Sequence, residues 1–139
     1  MCINYRGKYV KYLLILTMLI AMQVYSKTPQ EILRQEGFSL VTKESGKEVY
    51  YRPKEVKKFD GIVYYSNTTF FTNGSEKYSL RSDYMALACK ERRILKVGVH
   101  TVPYIGRSSY RDLTKKGIKD SDFKQLTTLD KRMYAKLCK

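Results

Sequence analysis

The two cysteines in the C-terminal half of the chain, Cys89 and Cys138, constrain the fold more than any other feature. The 139-residue chain has three cysteines, and the third, Cys2, lies in an apparent leader. Once the leader is removed, the remaining pair in an oxidising compartment is most simply one disulfide. It would close a loop of about 50 residues and contribute about 4 kcal/mol. Two free thiols remain an alternative; a metal site fits less well, because His100 is the single histidine and paired ligand spacings are missing.

The N-terminal segment has the three parts of a secretory signal peptide. Arg6, Lys8 and Lys11 carry positive charge, an apolar run extends from Tyr12 to Met22, and Val24 and Ser26 have the spacing of a cleavage site. The apolar run is shorter than the roughly 20 residues that span a bilayer. We therefore predict cleavage after Ser26, with residues 1–26 as signal peptide; an uncleaved anchor is the alternative. The mature chain is expected to have no transmembrane span.

The predicted mature chain is strongly basic. Without the three leader cations, 24 of the 27 lysines and arginines remain against 13 acidic residues, a net charge of +11. Such a charge favours acidic proteins and polyanions, including matrix proteins, sulfated glycans and lipopolysaccharide. Export argues against a specific nucleic-acid partner. The predicted location is the periplasm, the outer-membrane surface or the medium.

The mature chain, residues 27–139, is predicted to form one α+β domain. Its first element is a short helix over residues 28–36, with Thr28 as N-cap, Glu31 completing a capping box and Gly37 as the stop. Residues 103–126 contain much glycine, serine and charge, which predicts an irregular loop.

Residues 38–102 are predicted to form an antiparallel sheet of about five or six strands. The β-rich runs, divided by turn residues, are FSLVT, KEVYYR, GIVYYSNTTFF, YSLRSDYMALAC and RRILKVGVHTV. In the long third run both faces carry aromatic residues, so periodicity does not identify the buried face. The short segment from Pro53 to Gly61 is interpreted as a turn or a single helical turn.

The last two of these runs form a predicted tight hairpin. Only Lys90 and Glu91 separate them, which puts Cys89 at the corner. Along the final strand, one face is expected to be apolar and the other polar, which is typical of a sheet with one face in water. The apolar face has Leu95, Val97 and Val99, and the other has Arg92, Lys96 and His100, with Ile94 among them.

A helix is predicted over residues 127–138. Thr127 is the expected N-cap, Asp130 is at the capping-box position, and Leu129, Met133 and Leu137 share one stripe. Because Cys138 ends this helix, the predicted disulfide would tie the helix to the sheet at Cys89.

Several of these stretches resemble one family. The segments EVYYRPKEVKKFDGIVYYS and SLRSDYMALACKERRILKVGVHT, followed by a final helix ending MYAKLCK, are similar to the surface-adhesin protein E family of Gram-negative bacteria. The resemblance covers roughly Lys47 to Cys138. It implies an antiparallel sheet with a disulfide-tied helix, exposure at the cell surface or in the periplasm, and adhesion to host matrix proteins.

The sequence does not favour an enzyme. The serines of GRSSY lack a G-x-S-x-G frame, and the aspartates are scattered among cations instead of paired for acid–base work. His100 is interpreted as an exposed strand residue. No cofactor and no metal site is indicated.

The candidate binding surface consists of clustered cations. It comprises Lys57, Lys58, Lys90, Arg92, Lys96, Lys115 and Lys116. Solvation of the surface alone is the alternative role for these side chains. The predicted function is a non-enzymatic, adhesin-like binding protein that contacts acidic polymers or proteins through a cationic face. The alternative is a small periplasmic inhibitor or immunity-type protein that binds an enzyme partner.

Overall fold

The computed structural model describes residues 28–72 and 78–139. The predicted signal peptide lies outside the described residues, as does the turn that Asn73 and Gly74 predict between the third and fourth β-rich runs. The chain divides after Glu36 into two compact units. The first contains helix α1 (Pro29–Gln35), where the Thr28 hydroxyl accepts a hydrogen bond from the Glu31 amide and the Glu31 carboxylate accepts one from the Thr28 amide. The predicted helix and its capping box are confirmed.

The second unit, from Gly37 onward, contains an eight-stranded antiparallel sheet and one α-helix. The strands are β1 (Ser39–Glu44), β2 (Lys47–Tyr51), β3 (Lys57–Phe59), β4 (Ile62–Phe71), β5 (Tyr78–Ala88), β6 (Arg93–Pro103), β7 (Ser109–Asp112) and β8 (Lys124–Gln125). The central path of the sheet runs β1-β2-β4-β5-β6-β7, while β3 pairs with β4 and β8 pairs with β6. The α+β class with an antiparallel sheet is confirmed, although the strand count is higher than predicted.

The additional strands are short and lie at the sheet edges. The prediction of an irregular loop throughout 103–126 is wrong, because this segment contains β7, a 3-10 turn at Asp120–Asp122 and β8. Strand β3 likewise follows a 3-10 turn at Pro53–Glu55. These edge strands are mostly exposed, so their sequences lack the apolar alternation by which a half-buried strand is recognised.

The β5–β6 hairpin has a four-residue turn, from Cys89 to Arg92, instead of the predicted two. Arg92 has a φ of 51° and belongs to this turn, so its predicted position on the polar face of β6 is wrong. A register shift opposite Tyr84 and Met85 also breaks the alternation of β6. Before the shift Ile94, not Leu95, faces the main core; after it, Val99 lies on that same face.

The main core lies between one sheet face and helix α2 (Thr128–Leu137). Leu87 and Met133 are completely buried there, and they pack with Val63, Tyr65, Met85, Ile94 and Leu137. The opposite face has a second cluster, in which the rings of Phe38, Tyr50 and Phe70 meet edge to face. Both faces of β4 are therefore partly covered, which explains why its sequence carries aromatic residues in both alternating positions.

Helix α2 begins and ends as predicted. The Thr127 hydroxyl accepts a hydrogen bond from the Asp130 amide, and the Asp130 carboxylate accepts one from the Thr127 amide. Cys138 caps the C-terminus and forms a disulfide with Cys89, with a Cα–Cα distance of 5.5 Å and a sequence separation of 49. The predicted tie between the helix and the hairpin is confirmed. Within residues 28–72 and 78–139, no helix has the length and apolar character needed to cross a membrane.

Tyr65 brings a phenol into the main core with 4% of its surface exposed. Burial is the main reason that the pKa of this phenol is raised; the Asp130 carboxylate adds to the rise and the Asn67 side chain opposes it. Although Asn67 is close enough for this effect, neither the Tyr65 hydroxyl nor Asn67 Oδ1 has a hydrogen-bond partner of acceptable geometry among the described residues. The unpaired Tyr65 hydroxyl therefore lowers the free energy of unfolding.

Tyr65→Phe is expected to raise the free energy of unfolding by about 1 kcal/mol, because it removes an unpaired buried hydroxyl and keeps the ring. Because the pKa is raised in the folded chain, the unfolded chain ionises first, so the free energy of unfolding is unaffected by this group below the unfolded pKa of 10.0 and falls as pH rises above it. Urea denaturation at pH 7 and pH 10.5 tests both points, with Tyr110→Phe, on an exposed tyrosine, as control. A loss of stability at pH 7, or the same alkaline decline in Tyr65→Phe, would contradict the assignment.

Candidate binding surface

A cleft of about 720 Å³ opens between strand β6, the 113–118 loop, strand β8 and the start of helix α2. Three lysines line it: Lys96 from β6, Lys116 from the loop and Lys124 from β8. We call it the lysine cleft. Its size is within the range of small-molecule and side-chain binding pockets. Of the predicted cations, the fold brings Lys96 and Lys116 together here.

Lys96 is held by an ion pair. Its Nζ lies 3.1 Å from Asp83 Oδ1, and the same oxygen lies 3.0 Å from Arg81 Nε. One carboxylate is therefore shared by two cations on the α2 side of the sheet, which leaves net positive charge at this point. Lys116 and Lys124 make no ion pair with the described part of the chain.

The loop that carries Lys116 is shaped by a local turn. Asp112 Oδ1 accepts hydrogen bonds from the amide and the hydroxyl of Thr114, both at 2.7 Å. These bonds, the side-chain one first, and the charge of Lys115 lower the pKa of the Asp112 carboxyl. The Leu113 amide also donates to the Val97 carbonyl of β6 at 3.0 Å. The loop is thereby fixed to the sheet close to Lys96.

Two carboxylates also line the cleft, but both accept hydrogen bonds from the backbone. Asp122 Oδ2 accepts from the Lys119 amide at 2.8 Å, and Asp130 Oδ2 accepts from the Thr127 amide at 2.9 Å. Such bonds satisfy part of the negative charge locally. Three lysines against two carboxylates leave the lining of the cleft with net positive charge.

The remaining predicted cations lie elsewhere. Lys115 is exposed on the same loop and does not line the cleft, whereas Lys57 and Lys58 lie on β3, three strands away from β6. At about 4.8 Å between neighbouring strands, this separation is roughly 14 Å. The predicted surface is thus divided into separate patches.

The hairpin end carries mixed charge. Lys90 lines a shallow cavity of about 340 Å³ together with three carboxylates, those of Asp60, Glu91 and Asp120. Arg92 lies over the ring of Tyr134, with Cζ 5.4 Å from the ring centroid and Nε 3.4 Å from the hydroxyl. Arg92 is therefore exposed at the turn and also packs against Tyr134 of α2.

No sequence pattern identifies Lys124 as a cleft residue, because β8 is two residues long and both residues are exposed. The contacts of Arg93 likewise have no recognisable pattern in the sequence. Its guanidinium donates to Asp120 Oδ2 at 3.3 Å and also to the Phe123 carbonyl, so it fixes the segment leading into β8. An arginine at a strand start, followed some 30 residues later by an Asp-rich turn, is too common a pattern to predict that contact.

His100 lies mid-strand in β6, opposite Ser82 on one side and Tyr110 on the other. It is half-buried, so the predicted exposed position is only partly correct. Among residues 28–72 and 78–139, no three His, Cys, Asp or Glu side chains are grouped as metal ligands.

Comparisons of the chain with known protein families, with curated proteins and with solved structures gave no match. The resemblance to the surface-adhesin protein E family therefore stays a prediction from the sequence.

Proposed function

We propose that the protein is an exported, non-enzymatic binding protein of adhesin type, which holds acidic polymers or acidic protein segments at the lysine cleft. The observation that carries the proposal is the convergence of Lys96, Lys116 and Lys124 on one cleft. These lysines come from three separate segments, which meet only in the folded chain. The net charge of +11 on the predicted mature chain supports the same class of partner.

The composition of the cleft also suits a binding role. Its floor is apolar, through the buried Met85 and Ile94, while Leu113 and Ile118 at the rim are exposed. The Ser121 hydroxyl supplies a hydrogen-bonding group along the wall, whereas the hydroxyls of Thr114 and Thr127 already donate to Asp112 and Asp130. An acidic chain with short apolar stretches would find counter-charges and contact area in the same place.

Lys116→Gln together with Lys124→Gln is expected to weaken binding to heparin roughly 30-fold at 0.15 M salt. For duplex DNA each lost lysine contact reduces the slope of log affinity against log salt by about 0.9, and we expect a similar reduction for heparin, another highly charged linear polyanion. The measurement is the dissociation constant of the protein for heparin at four or five salt concentrations.

The matched control is Lys54→Gln with Lys136→Gln, which removes the same charge from two exposed positions outside the cleft. Equal losses in the two double variants would mean that only net charge matters, and would overturn the assignment of the cleft. Wild-type protein that is not retained by heparin or lipopolysaccharide at low salt would overturn the proposed function itself.

A further inference from the structure

A row of tyrosines crosses the sheet on the face opposite α2. Tyr64 on β4, Tyr84 on β5 and Tyr110 on β7 share this face, as their registers with Ala86, Gly98 and His100 show. We call these three residues the tyrosine row. Their exposed fractions are 37%, 38% and 62%. The rings of Tyr84 and Tyr110 meet edge to face, with centroids 5.8 Å apart.

Gly98 makes this arrangement possible. It lies on β6 between Tyr84 and Asp112, and a Cβ atom there would stand 2.7 Å from the Tyr110 hydroxyl oxygen and 3.0 Å from Tyr110 Cε2. Any side chain at this position would move the Tyr110 ring. A glycine inside a strand commonly marks a place where another group approaches the backbone closely. Here the group is Tyr110, which extends the row from β5 to β7 across the gap at β6.

One end of the row has a cation and a shallow groove. Lys57 pairs in register with Tyr64 and is exposed on the same face. Lys57, Tyr64, Ser66 and Tyr84 line a groove of about 220 Å³. Glu55, which also lines it, is bound to Arg52 at 2.7 Å, and Lys57 makes no ion pair with the described residues. The groove therefore offers aromatic faces, a hydroxyl and a positive charge to one ligand.

We propose that the tyrosine row binds sugar rings of an acidic glycan, with Lys57 contacting a carboxylate or sulfate group. A pyranose ring has an apolar C–H face and polar edges, which match the amphipathic tyrosine ring. The charge of Lys57 and of the whole chain is complementary to an acidic sugar. The row crosses neighbouring strands in a line, which suits a linear polymer.

The exposed area argues against a broad protein interface. At about 200 Å² for each tyrosine, the surface that the row leaves open is roughly 300 Å². A stable protein interface needs about 800 Å² on each partner. A few sugar rings require much less and are matched by the row alone, whereas a second copy of this chain would also have to bury a large area outside the row.

This inference concerns a different surface from the lysine cleft and shares with the proposed function only the acidic class of ligand. It is tested with two polyanions: heparin, which has pyranose rings, and poly(vinyl sulfate), which has similar charge and no rings. Tyr84→Ala with Tyr110→Ala is expected to lower the affinity for heparin about tenfold at every salt concentration, with an unchanged salt slope. Affinity for poly(vinyl sulfate) is expected to stay the same.

Gly98→Ala should reproduce much of the heparin loss, because it displaces the Tyr110 ring without removing it. Tyr104→Ala is the control, since Tyr104 is a similarly exposed tyrosine outside the row. Circular dichroism and urea denaturation show whether each variant is folded.

Two results would overturn the inference while leaving the proposed function intact. One is an equal loss of affinity for heparin and for poly(vinyl sulfate) in the tyrosine double variant; the other is no loss of heparin affinity in either that variant or Gly98→Ala. A sedimentation experiment that finds a dimer, dissociated by the tyrosine double variant, would instead make the row a contact between copies and would also overturn it. Wild-type protein that binds neither polyanion would overturn both the inference and the proposed function.

Discussion

Replacement of both Cys89 and Cys138 by serine is expected to lower the free energy of unfolding by about 4 kcal/mol. The chain-entropy estimate for a loop of this length gives this value, because the bond restricts the unfolded chain. Domains of this size have a total stability of only about 5–15 kcal/mol. The loss should therefore be visible as a large decrease in the midpoint of urea denaturation.

The effect should be concentrated at helix α2. A ten-residue helix is marginal in isolation, so its stability depends on its packing and on the disulfide at its C-terminal end. Met133 and Leu137 anchor it on the sheet, and Arg132 donates a hydrogen bond to Thr42 at 3.2 Å. Amide hydrogen exchange should show faster exchange in α2 than in β4 and β5 when the bond is absent.

Wild-type protein that has been reduced and alkylated is one comparison, and wild-type protein treated with the alkylating reagent without reduction is the control, since the closed Cys89–Cys138 bond does not react. The double serine variant and the reduced protein should lose similar stability. A loss below about 1 kcal/mol in both would contradict the claim that this bond holds the helix to the sheet.

Leu87→Ala is expected to lower the free energy of unfolding by about 2–5 kcal/mol. Leu87 has no exposed surface, and it lies between Val63 on β4 and Ile94 on β6, beneath α2. Truncation leaves a cavity that the paired strands around it can fill only in part. Urea denaturation measures the loss, and Leu40→Ala, on an exposed residue of β1, should cost less than about 1 kcal/mol.

Met133→Ala truncates a side chain of the same core cluster, on α2 instead of the sheet. Because Met133 also has no exposed surface and belongs to the same cluster as Leu87, the double variant should not show the sum of the two single losses. If Leu87→Ala costs as little as Leu40→Ala, the packing of α2 on this face of the sheet is wrong.

The helices and the disulfide were predictable because their signals are local or unambiguous. Thr28 with Glu31, and Thr127 with Asp130, each specify a helix start within four residues, and both capping boxes form. Two cysteines in the predicted mature chain leave only one intramolecular pairing, and the bond between Cys89 and Cys138 is present. The long strands β4 and β5 were also recognisable, because their β-branched and aromatic residues are dense.

The short edge strands and the hairpin geometry were not predictable in the same way. Residues 109–112 and 124–125 are polar and exposed, and they become strands because β6 offers them unpaired backbone groups. The four-residue turn before Arg93 and the register shift opposite Tyr84 follow from pairing between whole strands. Neither the turn length nor the register shift produces a recognisable pattern in the sequence around it.

Local patterns along the chain specify the class of this protein: a basic chain with a sheet, a capped final helix and a single disulfide between them. Which side chains meet depends on the fold as a whole. Lys96, Lys116 and Lys124 converge on one cleft, and Tyr64, Tyr84 and Tyr110 form one row, because the order and register of the strands place distant segments side by side. Capping and alternation act over a few residues and can be recognised along the chain, whereas a binding surface depends on contacts between segments that are far apart in it.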